Sequence, residues 1–398
     1  MSQPSFLESI ATSVSDLAGE LTALRRDIHA HPELSRAEAR TTALVAERLS
    51  RAGVRVRPLI GSGLVADIGP EDAAYRVALR ADLDALPLPE LTGLPWASVV
   101  DGVCHACGHD LHIAAVVGAG LALKAHECEL QARDLAVRLV FQPAEEVIPG
   151  GAQDVVNQGG LEGVDRIFGL HCDPGLDVGL VGLAEGAITA AADSVTVTLT
   201  GRGGHTSRPH LTQDLTYALA KVITDVPAVL SRRLDPRAGA ALVWGTVHAG
   251  VAQNVIPATG SVSGTLRMLD AEVWREVGPM VDETVRAVVA PYAVSAHVEH
   301  VRGVPPLVNE GQAVAALKAV TAAMLGPDAV RGTRQSLGGE DFAWYLQFVP
   351  GAMARLGTRT PGGTTYDLHQ GDLVVDERAI GVGAGLLAGA VLHSRPVS

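Results

Sequence analysis

Strands alternating with helices constrain what this chain can fold into more than any other pattern in it. Short β-rich runs occur at Val54–Val56, Leu64–Ile68, Val77–Ala81, Leu135–Phe141 and Ile167–Leu170. Between the third and the fourth, Asp110–His126 is rich in Ala, Val and Leu and reads as a helix. This order predicts an α/β layer domain with a central, mostly parallel sheet. Upstream, Phe6, Ile10, Val14, Leu17, Leu21, Leu24 and Ile28 recur at spacings of four and three, one face of a long amphipathic helix. Ser35 with Glu38 reads as a capping box, predicting a second helix that starts near Arg36 and stops at Gly53.

The middle of the chain has a different rhythm. Val195, Val197 and Leu199 alternate with Ser194, Thr196, Thr198 and Thr200, the period of a half-exposed strand. A helical stretch (Leu215–Leu234), two strand-like runs (Leu242–Val247, Gly260–Met268), a helix (Ala271–Val289) and a strand (Val294–His300) follow. That order is β-α-β-β-α-β, the ferredoxin-like split arrangement. The expectation is an α+β domain over residues 184–297, inserted into a catalytic α/β domain made of 1–183 and 298–398. A length of 398 residues accommodates two or three domains.

Charge and cysteine usage exclude whole classes of function. With 31 Lys and Arg against 44 Asp and Glu, the net charge is −13 and the dense basic footprint of a nucleic-acid binder is missing. Cys104, Cys107, Cys128 and Cys172 are too few and too scattered for a disulfide framework. Neither a signal-peptide pattern nor an apolar run of the ~18–20 residues a membrane span needs is evident, so a soluble cytoplasmic protein without a membrane partner is expected.

The densest group of ligand-type residues is Cys104-His105-Ala106-Cys107-Gly108-His109-Asp110-Leu111-His112. Thiolate and imidazole bind borderline metals, and Cys107 and His109 sit two apart with a glycine between them. A redox CxxC pair and a structural zinc knuckle compete with this reading. A c-type haem site is disfavoured because Gly108 separates Cys107 from His109. Glu145 and Glu146 come directly after the apolar run Leu135–Phe141. The carboxyl ends of strands are where functional residues of open α/β sheets gather. One of two such carboxylates can ligate a metal while the other takes a proton from metal-bound water. Asp82 and His171 also end strand-like runs, and His369 is a candidate distant ligand.

In order along the chain stand HAHPELS (29–35), RADLDALP (80–87), HACGHDLH (105–112), QPAEE (142–146), GRGGHTSRPH (201–210), QNVIP (253–257), SGTLR (263–267), GGEDF (338–342) and Leu368-His369. As a set they resemble the dinuclear metal-dependent amidohydrolases of the aminoacylase/carboxypeptidase family, in the branch of N-acyl-amino-acid, hippurate and indole-acetyl-amino-acid hydrolases. The resemblance implies two divalent cations per subunit, Zn or Mn with Co or Ni as alternatives, held by Cys107, His109, Glu146, His171 and His369, with Cys107 bridging. It implies Glu145 as general base, Asp82 orienting the site through a hydrogen bond, and His205 stabilising the oxyanion. Asn254 and Arg267 would face the amino-acid half of a small N-acyl amino acid. The inserted domain would act as a lid and make a homodimer interface. Two departures stand out: Cys104 where a hydrophobic residue is usual, here read as a small buried hydrophobe, and Gln370-Gly371-Asp372 after His369. Cys172 is read as core packing, and His29, His112 and His210 as structural or supporting residues. Competing functions are a dipeptidase or metallocarboxypeptidase, a non-catalytic ligand-binding protein, and a CxxC redox protein.

Overall fold

The computed structural model describes residues 6–395. They divide into two compact units, one running up to Gly186 with Asn309–Arg334 and the chain from Trp344 onward, the other holding Ala187–Val308 and Gln335–Ala343. The large sheet of the first unit holds, in chain order, β1 (Arg55–Pro58), β2 (Leu64–Ile68), β3 (Tyr75–Asp82), β4 (Leu135–Gln142), β5 (Arg166–Asp177), β6 (Val181–Gly182), β7 (Val330–Arg331) and β8 (Gly351–Arg359). Its spatial order is β1-β2-β4-β3-β5-β8-β6-β7. The four central strands are parallel throughout, and antiparallel pairs lie towards the edges.

Every residue of β4 is buried, as a parallel sheet covered on both faces requires. The helix His109–Ala125 is buried from His109 through Leu123. It packs against β3 and the helices Ala18–Ala30 and Arg378–His393, which explains a sequence that is apolar all round. Register then assembles the site. Asp82 lies beside Gln142 across β3 and β4. Arg80 pairs with Gly169, so His171, two residues on, is level with Asp82.

Two local expectations are corrected. The amphipathic stretch forms two helices, Phe6–Asp16 and Ala18–Ala30, parted at Leu17. The capping box does not form, and the next helix is Ala39–Arg51. Arg36 is left-handed (φ 67°), and the Ser35 hydroxyl donates to Asp84 Oδ2 at 2.6 Å instead of to a helix. Glu33 takes the free helix N–H groups, accepting from Arg40 (2.9 Å) and Thr41 (2.7 Å).

In the second unit four antiparallel strands stand in the order Ala241–Ala249, Thr259–Met268, Ala191–Thr200, Ser295–Val304. Helices Leu215–Arg233 and Ala271–Val289 complete the β-α-β-β-α-β sequence. The last strand runs past residue 297 because its pairing with Ala191–Thr200 continues to Val304. Gln335–Ala343 joins this unit through Ser336, whose N–H donates to Ile188 (2.9 Å) and whose carbonyl accepts from Ala190 (3.1 Å). Among the described residues no helix is long and apolar enough to cross a membrane.

Candidate metal centre

The carboxyl ends of β3 and β4, His171 on β5 and the first turn of the helix His109–Ala125 converge on one cluster. Gly108, immediately before that helix, is left-handed (φ 76°), and a Cβ there would lie 2.1 Å from Cys172 Sγ. The turn between Cys107 and His109 therefore requires glycine. Two overlapping trios have ligand atoms within 4.8 Å of one another: Cys107, His109 and His171, and Cys107, Glu146 and His369. Cys107 is common to both. The five side chains named as metal ligands from sequence are thus brought together, all in the first unit.

Hydrogen bonds fix which nitrogen of each buried imidazole faces the cluster. His109 Nδ1–H donates to the Asp84 carbonyl (2.8 Å), and His171 Nδ1–H donates to the Cys172 carbonyl (2.9 Å). Their Nε2 lone pairs are left to face the cluster. His171 Nε2 is 3.5 Å from Cys107 Sγ. His109 Nε2 is 3.7 Å from Glu146 Oε1 and 3.5 Å from Asp82 Oδ2. His109 Nε2 and Glu146 Oε1 are buried without a hydrogen bond, although His369 Nε2 approaches Glu146 Oε1 to 3.3 Å. A buried lone pair without a donor is destabilising unless a cation or proton meets it. The donor set therefore fits divalent cations.

The field points the same way. Burial disfavours charge on His109, yet Asp82 and Cys107 raise its pKa well above 6.5, so the pocket around its ring favours a positive charge there, proton or cation. Burial, with Arg355 and His112 adding to it, holds His171 neutral, the state a ligand needs. Burial also pushes the Cys107 thiol up while His109 pulls it down, and a bound cation is what converts such a thiol to thiolate. Asp82 is fully buried. It accepts His112 Nδ1–H and Arg80 Nη1–H, both at 2.7 Å, so its grip is on His112.

The sequence reading missed Asp84. Its carboxylate accepts the backbone N–H of both Glu145 and Glu146 at 3.0 Å, while Glu38 accepts the Ala144 N–H at 2.7 Å. Ala144 is left-handed (φ 53°), a bend that presents two successive amides to one acid. The available signal was the second acid of Arg80-Ala81-Asp82-Leu83-Asp84, at the same strand end. Cys172 does more than fill space. Its thiol donates to the Cys107 carbonyl (3.2 Å) and its N–H to His112 Nε2 (2.9 Å). Cys104 packs with Leu86, Ala106 and Cys107, and burial together with Glu90 pushes its thiol to about 11, so it behaves as a small apolar residue.

His205, Asn254 and Arg267 lie in the second unit. His205 is exposed and sits on a short strand paired with Val255–Ile256. Its Nδ1 accepts from the Ser207 N–H (3.1 Å). Asn254 is exposed beside it, its carbonyl accepting the Thr206 N–H (3.1 Å). Arg267 Nη1 donates to the Leu337 carbonyl.

Known proteins resemble this chain along most of its length. A protein of Rhodococcus jostii named putative glutamate–cysteine ligase 2-3 is 48% identical over 91% of this chain, which spans only 45% of that protein's length. The N-acetyl-L-cysteine deacetylase of Bacillus subtilis is 38% identical, over 94% of this chain and 88% of its own. The crystal structure of the B. subtilis YXEP protein, described as a dinuclear metal-binding peptidase of the M20 family, is 32% identical with a TM-score of 0.82, over 95% of this chain and 98% of that one. The family model of peptidases M20/M25/M40 matches residues 78–393. The chain belongs to the peptidase family M20/M25/M40.

Proposed function

We propose that this protein hydrolyses the amide bond of N-acyl amino acids, releasing a carboxylic acid and a free amino acid. The observation that carries the reading is Glu145 standing next in sequence to Glu146, in a cluster where His109 Nε2 and Glu146 Oε1 are buried without a hydrogen bond. Cys107, His109, Glu146, His171 and His369 would hold two divalent cations, Zn²⁺ or Mn²⁺. Such cations lower the pKa of bound water and polarise a carbonyl. Glu145 then accepts a proton from the attacking water and delivers it to the nitrogen as the C–N bond breaks. Asp82, through His112, keeps the floor of the cluster fixed.

The motif resemblance assigns the remaining roles. His205 would donate to the developing oxyanion, a contribution of ~3–4 kcal/mol in comparable sites. Arg267 would pair its planar fork with an α-carboxylate, and Asn254 would contact the amino-acid half. The second unit would serve as lid and dimer interface. The relative named N-acetyl-L-cysteine deacetylase makes N-acetyl-L-cysteine the first substrate to assay.

Glu145→Gln is expected to abolish hydrolysis of N-acetyl-L-cysteine and N-benzoyl amino acids while bound metal, counted by elemental analysis, stays at the wild-type level. Turnover retained in that variant refutes the mechanism.

A further inference from the structure

The loop between β3 and the helix His109–Ala125 is held by one buried carboxylate. Glu90, with a side chain only 5% exposed, accepts His29 Nε2–H through Oε1 (3.1 Å). It also accepts the Ser98 N–H through Oε2 (2.6 Å) and the Thr92 hydroxyl. The other nitrogen of His29 bonds Asp110 Oδ2 (2.9 Å), which also accepts Arg25 Nε–H (2.6 Å). Asp110 follows His109 directly. Glu90 therefore ties the loop to the helix turn that carries one candidate ligand.

The same loop grips the segment that carries another. The Leu91 N–H donates to the Gly371 carbonyl at 2.7 Å. A Cβ on Gly371 would lie 2.1 Å from the Pro89 carbonyl oxygen, so the two backbones are pressed together and need glycine. Two residues before Gly371 stands His369, left-handed (φ 60°) and with a side chain 54% exposed. A non-glycine residue in that conformation is disfavoured, so its surroundings must hold it. The His369 N–H donates to the Ala106 carbonyl at 2.8 Å, and the loop contact at Gly371 is the second restraint.

We propose that Glu90 is a positioning residue for His369, acting through the loop it closes and the Leu91–Gly371 hydrogen bond to set the second cation site. The proposal rests on the reading of the metal centre given above. Removing a side chain that orients a ligand typically lowers metal affinity ten- to a hundredfold. The test is calorimetric titration of chelator-stripped full-length protein with Mn²⁺, with kcat, KM and the thermal midpoint of the metal-free form measured alongside.

Glu90→Gln is expected to bind one equivalent as the wild type does and the second at least about tenfold more weakly. Its kcat should fall while KM moves little, and Glu90→Asp, which keeps the charge, should recover part of the loss. A lower thermal midpoint for Glu90→Gln with both affinities and kcat unchanged shows a purely structural role and overturns the proposal. His369→Ala separates the two levels of inference, since it should lose one equivalent outright. If His369→Ala binds Mn²⁺ as the wild type does, the reading of the centre fails, and the role of Glu90 fails with it.

Discussion

Asp84→Asn is the sharpest test of how the general-base loop is held. The carboxylate receives three donors: the Glu145 N–H at 3.0 Å, the Glu146 N–H at 3.0 Å and the Ser35 hydroxyl at 2.6 Å. It is 1% exposed. Burial pushes its pKa up, but His109, Ser35 and the Glu146 amide outweigh burial and hold it below 3.8, so it is ionised at neutral pH. Asparagine keeps the shape but offers one acceptor oxygen. In either amide orientation an NH₂ group faces one of the two backbone N–H groups. A hydrogen bond to a charged group contributes ~1.5–3 kcal/mol, and the amide left buried without a partner adds ~1–3 kcal/mol. The expected loss of stability is therefore roughly 2.5–6 kcal/mol, read from urea unfolding of the metal-free protein. The effect on activity is separable. Displacing Glu145 by about 1 Å is sufficient for a ~10²-fold fall in kcat, measured on N-acetyl-L-cysteine under conditions where the variant is fully folded. Ser35→Ala is the control, because the hydroxyl is lost while both amides keep their acceptor, so turnover should stay within a few-fold of wild type. A folded Asp84→Asn enzyme with wild-type kcat refutes the assignment of Asp84 as the anchor of this loop.

Two further outcomes follow from the same contacts. Gly108→Ala combines a left-handed backbone, disfavoured by roughly 1–2 kcal/mol for a residue with a Cβ, with a contact to Cys172 Sγ that ~1–3 kcal/mol of overpacking describes. Because Cys107 and His109 flank it, calorimetry should show weaker cation binding as well as a lower unfolding midpoint. His29 titrates near 9 instead of 6.5: burial works against the charged ring, but Asp110 and then Glu90 outweigh it. A folded-state pKa raised this way contributes stability that is fully present below pH 6.5 and is lost as pH rises through about 9, roughly 3 kcal/mol across that window. His29→Gln should flatten this part of the stability profile in urea titrations between pH 6 and pH 9.5, and an unchanged profile refutes it.

The legible part of the site was the part whose residues are neighbours in sequence. Cys107 with His109, and Glu145 with Glu146, could be picked out because thiolate, imidazole and paired acids are informative at short spacing. The strand ends then supplied Asp82 and His171. What escaped was held by distant partners. Ser35 and Glu38 have the spacing of a capping box, but that reading assumes the nearest free N–H groups are those of the next helix. Here Glu33 has taken those groups. Ser35 reaches Asp84, 49 positions on, and Glu38 reaches Ala144, 106 positions on. The expected edge at residue 297 falls inside the last strand, Ser295–Val304, whose pairing continues to Val304.

These misreadings converge on one physical point. A buried carboxylate must find donors, and the free backbone amides of a bent loop are strong ones. The Ala144 bend exposes the amides of residues 144–146 together, so at least two acids have to come from elsewhere in the chain to meet them. Glu38 and Asp84 are those acids, and both carboxylates are spent on backbone N–H groups and on the hydroxyls of Ser62 and Ser35 instead of on metal or substrate. That division separates anchoring acids from working acids within one cluster. An acid whose oxygens are filled by backbone amides is an anchor, whereas Glu146, whose Oε1 is buried without a hydrogen bond, is available to a cation. Counting acids in the sequence could not draw the distinction, because what meets the oxygens of Asp84 and of Glu146 is set by residues distant in the chain.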